Sequence, residues 1–262
     1  MNRALRTAAT GMAAQQLNVD LIAHNLANVN TTAFKKARPE FQDLMYQTLQ
    51  ATGVSSNPNI QPPAEIQIGN GAVPVATTRN FSQGDAQPTS NPTDMSIKGD
   101  GFFQIRKPDG TTAYTRDGSF KISAEGEIVT SQGYIVEPGL TLPSDTASIT
   151  VSRDGSVEAT VSGATGTTKV GQLELGKFIN PAGLSAIGDN LYVETPASGT
   201  VLTGTPGNDG FGEVVQSQLE ASNVDVVEEM VNMITAQRAY EINSKTITTV
   251  SDMLSIANNI KR

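Results

Sequence analysis

The residues best suited to chemistry in this sequence are a histidine and an aspartate near its N-terminus. His24 follows Asp20 by four positions, a spacing that places both side chains on one face of a helix. Two such groups do not complete a metal site, and the chain has no second histidine and no cysteine to add to them. A triad built on His24 would need a nucleophile elbow, and no G-x-S-x-G sequence occurs. We expect His24 to be a polar interface residue.

Two further stretches could suggest a reactive site. The glycine-rich segment GNDGFGE, residues 207–213, lacks the Lys-Ser/Thr pair and the βαβ context of a phosphate-binding loop, so we expect a flexible connector leading into a helix. Glu228 and Glu229 are adjacent and would point to different helix faces, which makes them a poor acid–base pair. The sequence therefore predicts no enzyme, no catalytic residue, no metal, no cofactor and no small-molecule substrate.

Composition narrows the class of protein further. The net charge of −8 argues against a nucleic-acid partner, which normally requires a basic face. Hydrophobic residues make up 37% and aromatic residues 5% of the 262 positions, so we expect part of the apolar surface to be covered only by a partner. No apolar run approaches the ~18 residues of a membrane span. The N-terminus lacks the apolar centre of a cleaved secretory signal, so the protein either stays in the cytoplasm or leaves by a route without such a signal.

Heptad spacing at both ends of the chain predicts two long helices, over about residues 2–30 and 217–260. The N-terminal seam has two rows, Leu5, Met12, Val19 and Leu26, then Ala8, Gln15, Ile22 and Val29. The C-terminal seam comprises Leu219, Val226, Met233, Tyr240, Ile247 and Leu254, widened by Met230, Ile234, Val250 and Ala257. The first 38 residues are net basic and residues 213–262 net acidic, which favours an antiparallel pair formed by the two termini.

The middle of the chain has no helical period and predicts antiparallel strands. Short strand-like runs such as TTAYTR and SFKIS alternate with turn signals at Asp109-Gly110, Asp117-Gly118 and Glu125-Gly126. Before this region, residues 46–71 contain three prolines that exclude a continuing helix, namely Pro58, Pro62 and Pro63. Composition alone leaves two interpretations of that segment, a flexible linker or an arm that orders against a neighbour.

We therefore predict an α+β fold with a discontinuous helical coiled-coil base, formed by both termini, and an inserted all-β antiparallel domain. The expected boundaries are an N-terminal helix within residues 1–45, an extended arm at 46–71, the β domain at 72–212 and a C-terminal helix within 213–262.

The stretch HNLANVNTTAFK, residues 24–35, ends the first helical pattern with polar residues. Asn and Thr compete for backbone hydrogen bonds and are poor in helix interiors. We expect Asn28 or Asn30 to cap the helix end, and Asn25 to hydrogen-bond across helices. Ordinary fraying with local capping is the other interpretation.

Several motifs together resemble one family. NLANVNTTAFK and residues 222–247 are similar to the N- and C-terminal signatures of bacterial flagellar rod and hook proteins, while GDGFFQI (99–105) and residues 114–136 resemble the β-domain motifs of that family. One departure is Ala33, where many members have Gly. Hook members are usually much longer, and residues 46–71 resemble a segment specific to the distal rod members, which the chain most resembles.

The resemblance implies a structural subunit of the distal rod. Such subunits self-assemble into a rigid hollow helical tube, which transmits motor torque across the periplasm to the hook and lets exported subunits pass. Implied partners are further copies of the chain, proximal rod proteins, the hook protein, the L and P ring proteins and the flagellar type III export apparatus. The implied location is the basal-body rod, reached without a cleaved signal peptide. The alternatives are a proximal rod subunit of the same family and a secreted β-rich binding module on a coiled-coil stalk.

The resemblance also implies which residues meet other subunits. The seam residues expected at subunit interfaces are Leu5, Met12, Val19, Ile22, Leu26, Leu219, Val226, Met230, Met233, Tyr240, Ile247 and Leu254. The polar contacts of the two signatures are Asn25, Asn28, Asn30, Gln237, Arg238 and Asn243. The arm contributes Tyr46, Pro58, Pro62, Pro63, Ile66 and Ile68.

Overall fold

The structure is a computed structural model of the chain and describes residues 2–50, 66–143, 145–161 and 166–260. The chain begins with α1 (Asn2–Ala27), β1 (Ala37–Asp43), β2 (Gln47–Gln50), β3 (Ile66–Ile68) and β4 (Ala72–Arg79). Sixteen short strands follow: β5 (Ala86–Pro88), β6 (Met95–Lys98), β7 (Phe102–Arg106), β8 (Thr112–Thr115), β9 (Lys121–Ile122), β10 (Ile128–Val129), β11 (Ile135–Val136), β12 (Thr146–Val151), β13 (Ser156–Val161), β14 (Thr167–Gln172), β15 (Leu175–Lys177), β16 (Ser185–Gly188), β17 (Leu191–Val193), β18 (Leu202–Gly204), β19 (Glu213–Gln216) and β20 (Gln218–Glu220). The last element is the long helix α2 (Val226–Ile260). The prediction of an α+β fold, with helices at both ends and antiparallel strands between them, is confirmed.

The chain divides into two compact units. The helical unit comprises residues 1–26, 37–78 and 225–262, and the β unit comprises residues 27–36 and 79–224. The helical unit holds α1, α2 and two small sheets, in which β1 pairs with β4 and β2 with β3.

The β unit is built around a nine-stranded sheet with the order β16-β17-β8-β7-β11-β10-β9, to which β15 and β18 are joined through β7. A three-stranded meander, β12-β13-β14, and the two pairs β6–β19 and β5–β20 complete it. Adjacent residues of β7 point to opposite faces of the sheet, so Phe103 joins the main apolar core while Phe102 joins a second cluster. That second cluster is aromatic and contains Phe81, Phe102, Tyr114, Phe178 and Tyr192 in edge-to-face contacts.

The predicted turns close hairpins of this unit. The amide of Gly110 donates to Lys107 O between β7 and β8, and the amide of Gly126 donates to Ser123 O between β9 and β10. Gly118 serves another purpose, since a Cβ there would lie 1.6 Å from Met95 O. Glycine is therefore required at position 118 by the close approach of another backbone segment.

The C-terminal helix begins later than the sequence pattern predicted. Residues 217–220 were expected at its start, but residues 218–220 form β20, which pairs with β5, directly after β19, which pairs with β6. Leu219 is consequently a strand residue opposite Gln87, and not a member of the helical seam. The helix starts where Asp225 supplies an N-cap, its carboxylate accepting hydrogen bonds from the amides of Val227 (2.8 Å) and Glu228 (3.2 Å).

Within the helical unit, α1 and α2 meet through small and polar residues. A Cβ on Gly11 would lie 2.9 Å from Asn243 Nδ2, so the Asn243 side chain occupies the space that glycine leaves. Ala4, which precedes Gly11 on α1, lines one open groove together with Thr246, which follows Asn243 on α2. The two helices therefore run in opposite directions along this groove.

Candidate assembly surface

The long helix α2 carries apolar side chains both toward the chain's own core and toward solvent. At ~100° per residue, the inner face holds the residues with the least exposure, Glu229, Ala236 and Val250, with half-buried Asn243 in the same row. The solvent-facing side of the helix exposes Val227, Met230, Val231, Ile234, Ile242, Met253, Ile256 and Ile260. We call this second set the outer stripe of α2. Exposed large apolar residues that recur along one helix favour a surface that packs against another element.

Most of the predicted C-terminal seam lies on the inner side of α2. Met233, Ile247 and Leu254 are half-buried, whereas Val226 and Tyr240 are each 39% exposed at its border. Of the predicted seam residues, Met230 and Ile234 belong to the outer stripe. The heptad count missed the rest of this stripe, although a helix with apolar residues on two sides was visible in the sequence.

The N-terminal seam is partly covered within the chain. Ile22 is buried, as are Ala8 and Ala14, whereas Leu5, Met12, Val19 and Leu26 keep intermediate exposure. These four residues therefore retain apolar surface that a neighbouring subunit can cover.

The arm is described only at its two ends. Pro58, Pro62 and Pro63 lie outside the described residues. Strands β2 and β3 pair in antiparallel fashion with Gln47 opposite Ile68, and Asn70 Nδ2 donates to Met45 O at 2.6 Å. Several large side chains on this ribbon are exposed, namely Met45, Tyr46, Leu49, Ile66 and Ile68. A two-stranded ribbon is marginally stable alone in water, so exposed apolar residues on it favour contact with a partner.

The polar signature after α1 organises the chain's own backbone. Asn25 is buried, and its amide donates to Ala37 O (2.9 Å) and accepts from Ala37 N (3.0 Å). The expected bond from Asn25 across helices is therefore wrong: its carboxamide binds the backbone N–H and C=O of a residue that follows the helix. Asn28 lies in the turn that follows the helix, where its backbone carbonyl accepts from the Thr31 amide at 3.1 Å.

The remaining polar signature residues are exposed, apart from half-buried Asn243. Asn30 is exposed beside the turn, and Gln237 and Arg238 are exposed on α2, Arg238 within the angular range of the outer stripe. Ala33 adopts a left-handed φ of 54° and donates its amide to Glu220 O at 2.8 Å.

A buried charge cluster joins three distant parts of the β unit. It was not among the predicted sites. Glu220 binds Lys35 Nζ through Oε1, and its Oε2 lies 3.7 Å from Arg116 Nη1. Lys35 Nζ also donates to Ser82 O at 2.8 Å, while Gly84 N donates to Glu220 Oε1 at 3.0 Å. Burial lowers the pKa of Lys35 and of Arg116, and the Glu220 carboxylate opposes both shifts.

The signal for this cluster was present in the sequence. Lys35 closes the quoted motif NLANVNTTAFK, and the opposite charges of the two chain ends predicted that they would attract each other. The attraction is realised between Lys35 and Glu220, inside the β unit.

The stretches first considered for chemistry lie in a helix and in turns. Asp20 accepts a hydrogen bond from Gln16 Nε2 at 3.0 Å, and His24 is exposed on α1. GNDGFGE forms turns that lead into β19, and Lys177 Nζ donates to Gly210 O at 3.0 Å. The expected connector to a helix is thus a connector to a strand.

Within the described parts of the chain, no cluster of three or more potential metal ligands occurs. No helix among those same residues is long and apolar enough to cross a membrane.

Comparison with protein families gives three matches in chain order. The family described as "Flagella basal body rod protein" matches residues 5–35. "Flagellar hook protein FlgE/F/G D1 domain" matches residues 96–159, and "Flagellar basal body rod FlgEFG protein C-terminal" matches residues 215–260. The matched segments contain α1, much of the β unit and α2.

Individual relatives are similar over the whole chain. "Flagellar basal-body rod protein FlgG" of Borreliella burgdorferi is 54% identical, with 100% of both chains covered. The protein of the same description from Caulobacter vibrioides is 48% identical over 99% of each chain, and that of Bacillus subtilis is 39% identical over 100% of each. The chain belongs to the flagellar basal-body rod protein family.

Proposed function

We propose that this chain is a structural subunit of the distal rod and that it polymerises through α1, α2 and the β2–β3 ribbon. The observation that carries the proposal is the outer stripe of α2. Its members lie between Val227 and Ile260, on the solvent-facing side of the helix. A chain that exposes so many large apolar residues on one helix gains stability when copies of itself cover them.

The energetic consequence is cumulative. Covering one Val, Ile or Met side chain contributes about 1.5–3 kcal/mol, and a helical polymer repeats that contribution in every subunit. The half-buried residues of α1 and the exposed arm residues, including Tyr46, Ile66 and Ile68, add further apolar contacts of the same kind. A tube held together along its whole length in this way is stiff enough to rotate as one body.

The proposed tube is hollow, so exported flagellar subunits pass through it while torque passes along its wall. It crosses the periplasm, with proximal rod proteins below, the hook protein above and the L and P ring proteins around it. The subunits reach it through the flagellar type III export apparatus without a cleaved signal peptide. The relatives named as basal-body rod proteins along the full chain support this placement.

The proposal is tested by placing a charge in the outer stripe. Ile242 is 66% exposed, so Ile242→Asp leaves the folded subunit intact and introduces a carboxylate into the proposed interface. The matched control is Ile179→Asp, because Ile179 is 81% exposed in the β unit. We expect straight tubes from the unmodified protein and from the control at rising concentration, and monomers from Ile242→Asp, by electron microscopy and sedimentation. If a proximal rod seed is needed to start assembly, it is added equally to all three.

Normal tubes from Ile242→Asp would refute the outer stripe as an interface. Loss of tubes in both variants would also count against the proposal, because it would show that the effect is not specific to α2.

A further inference from the structure

The chain passes between its two units at four points, after Leu26, Lys36, Thr78 and Val224. Near three of these points, a residue of the β unit belongs to one hydrogen-bonded group. Lys36 is the last residue before the second point, Asn80 lies two residues after Thr78, and Asn223 comes directly before Val224. We call Lys36, Asn80, Ser82 and Asn223 the Asn223 junction.

The Asn223 carboxamide binds both other chain segments at once. Its Oδ1 accepts from Lys36 N at 2.8 Å, and its Nδ2 donates to Asn80 O at 2.8 Å. Nδ2 also lies 3.2 Å from Ser82 O and 3.1 Å from Ser82 Oγ. Asn80 N donates to Lys36 O at 2.9 Å, so each of the three segments is bonded to the other two.

The chemistry of this junction requires a carboxamide. Position 223 must offer an acceptor to one backbone amide and donors to backbone carbonyls, in one plane. Aspartate keeps the acceptor but places a carboxylate against Asn80 O and Ser82 O, where no donor is left. Alanine offers neither. The two substitutions therefore remove different bonds, and their effects can be told apart.

We propose that Asn223 is a positioning residue of the rod subunit, which holds three segments of chain together where they leave the β unit. Force carried along the chain at these points then acts on a bonded group of segments and not on each segment separately. The proposal rests on the function proposed above, because a subunit under torque has most need of such a group.

Hydrogen exchange of the purified full-length protein tests the bonds. In Asn223→Ala we expect the Lys36 amide to exchange about fivefold faster or more, because it loses a hydrogen bond of ordinary strength to Asn223 Oδ1. The Asn80 amide, bonded to Lys36 O, should also exchange faster, because its segment is no longer held by Asn223. In Asn223→Asp the Lys36 amide keeps its acceptor and its protection. The Asn80 amide, bonded to Lys36 O, exchanges faster because the carbonyls of Asn80 and Ser82 lose the donor that holds their segment. The control Asn180→Asp removes one amide–carbonyl bond, to Ala197 O, and should change neither amide.

The amide of Leu142, bonded to Gly126 O, reports that the β unit stays folded. If Asn223→Ala also exposes Leu142, then Asn223→Ser replaces it, since serine keeps a small acceptor and donor. Unchanged exchange of Lys36 and Asn80 in a folded variant would overturn the proposal.

A second measurement separates positioning from a merely structural role. In a motile strain carrying Asn223→Asp, we expect the same number of rods as in the unmodified strain by electron microscopy. Its rotation speed should equal that of the unmodified strain at low viscous load and fall below it at high load. A speed equal to that of the unmodified strain at both loads would overturn the proposal, and so would absent rods, which would place Asn223 in assembly. Failure of the unmodified chain to form rods would instead contradict the proposed function.

Discussion

At the scale of single residues, Glu220 has the most demanding environment. It is 1% exposed and lies between two buried cations, Lys35 and Arg116. The Arg116 guanidinium is held partly by the Phe102 ring, 5.2 Å from its centroid. Burying three charges costs desolvation energy that their mutual attraction only partly offsets, so removing one partner is far more costly than the net worth of the group.

Glu220→Gln is expected to destabilise the protein strongly. Glutamine keeps the shape of the side chain but leaves Lys35 and Arg116 buried with no counter-charge, which should lower the free energy of unfolding by about 3–5 kcal/mol. Urea denaturation followed by near-ultraviolet circular dichroism measures this loss. The control is Glu137→Gln, which breaks an exposed pair with Arg106 at 3.0 Å and should cost less than about 1 kcal/mol. Equal losses in both variants would contradict the account of the buried cluster.

At the scale of elements, the sequence predicted what depends on local pattern. The heptads predicted both helices, and paired turn residues such as Asp109-Gly110 predicted the antiparallel hairpins. Residues 213–220 could not be placed from their own pattern, because their strand state depends on pairing with β6 and β5, far away in the sequence. The N-cap signal at Asp225, followed by Glu228, was available in the sequence and gives the correct start of α2.

The candidate surface divides in the same way. The Leu5, Met12 and Met233 rows follow from periodicity, since seven-residue spacing identifies one face of a helix. The rest of the outer stripe was missed because seven-residue spacing selects residues on one face of a helix only. Asn25 was assigned the wrong partner, because the backbone of Ala37, which donates to its Oδ1 and accepts from its Nδ2, lies in the segment after the helix and not on a facing helix.

Gly11 is an element-scale feature that helix propensity alone would count as a defect. It lowers the stability of α1 as an isolated helix by ~1 kcal/mol relative to alanine, yet it makes room for Asn243 of α2. Gly11→Leu should therefore force α1 and α2 apart and cost about 1–3 kcal/mol in a thermal melt followed at the helix band of circular dichroism. Ala9→Leu, at an exposed position of the same helix, should leave the melt unchanged. A melt of Gly11→Leu equal to that of the control would contradict the helix contact.

At the scale of the whole molecule, the two units have different relations to their surroundings. The β unit completes a core of its own, in which residues such as Ile97, Phe103 and Leu175 are fully buried. The helical unit instead leaves large apolar residues exposed on α2 and on the β2–β3 ribbon. A chain in which one unit buries its apolar core and the other exposes apolar residues is suited to a polymer, because neighbouring copies can cover the exposed residues.

The most direct test of the account places a photoreactive phenylalanine analogue at Ile242 in the outer stripe, and irradiates isolated flagellar basal bodies. Since the chain has no cysteine and a single histidine, crosslinked peptides can be identified by mass spectrometry without competing thiol chemistry. We expect covalent dimers and a series of larger oligomers of this chain, joined at position 242. Monomers alone, or crosslinks that reach only other proteins, would contradict it.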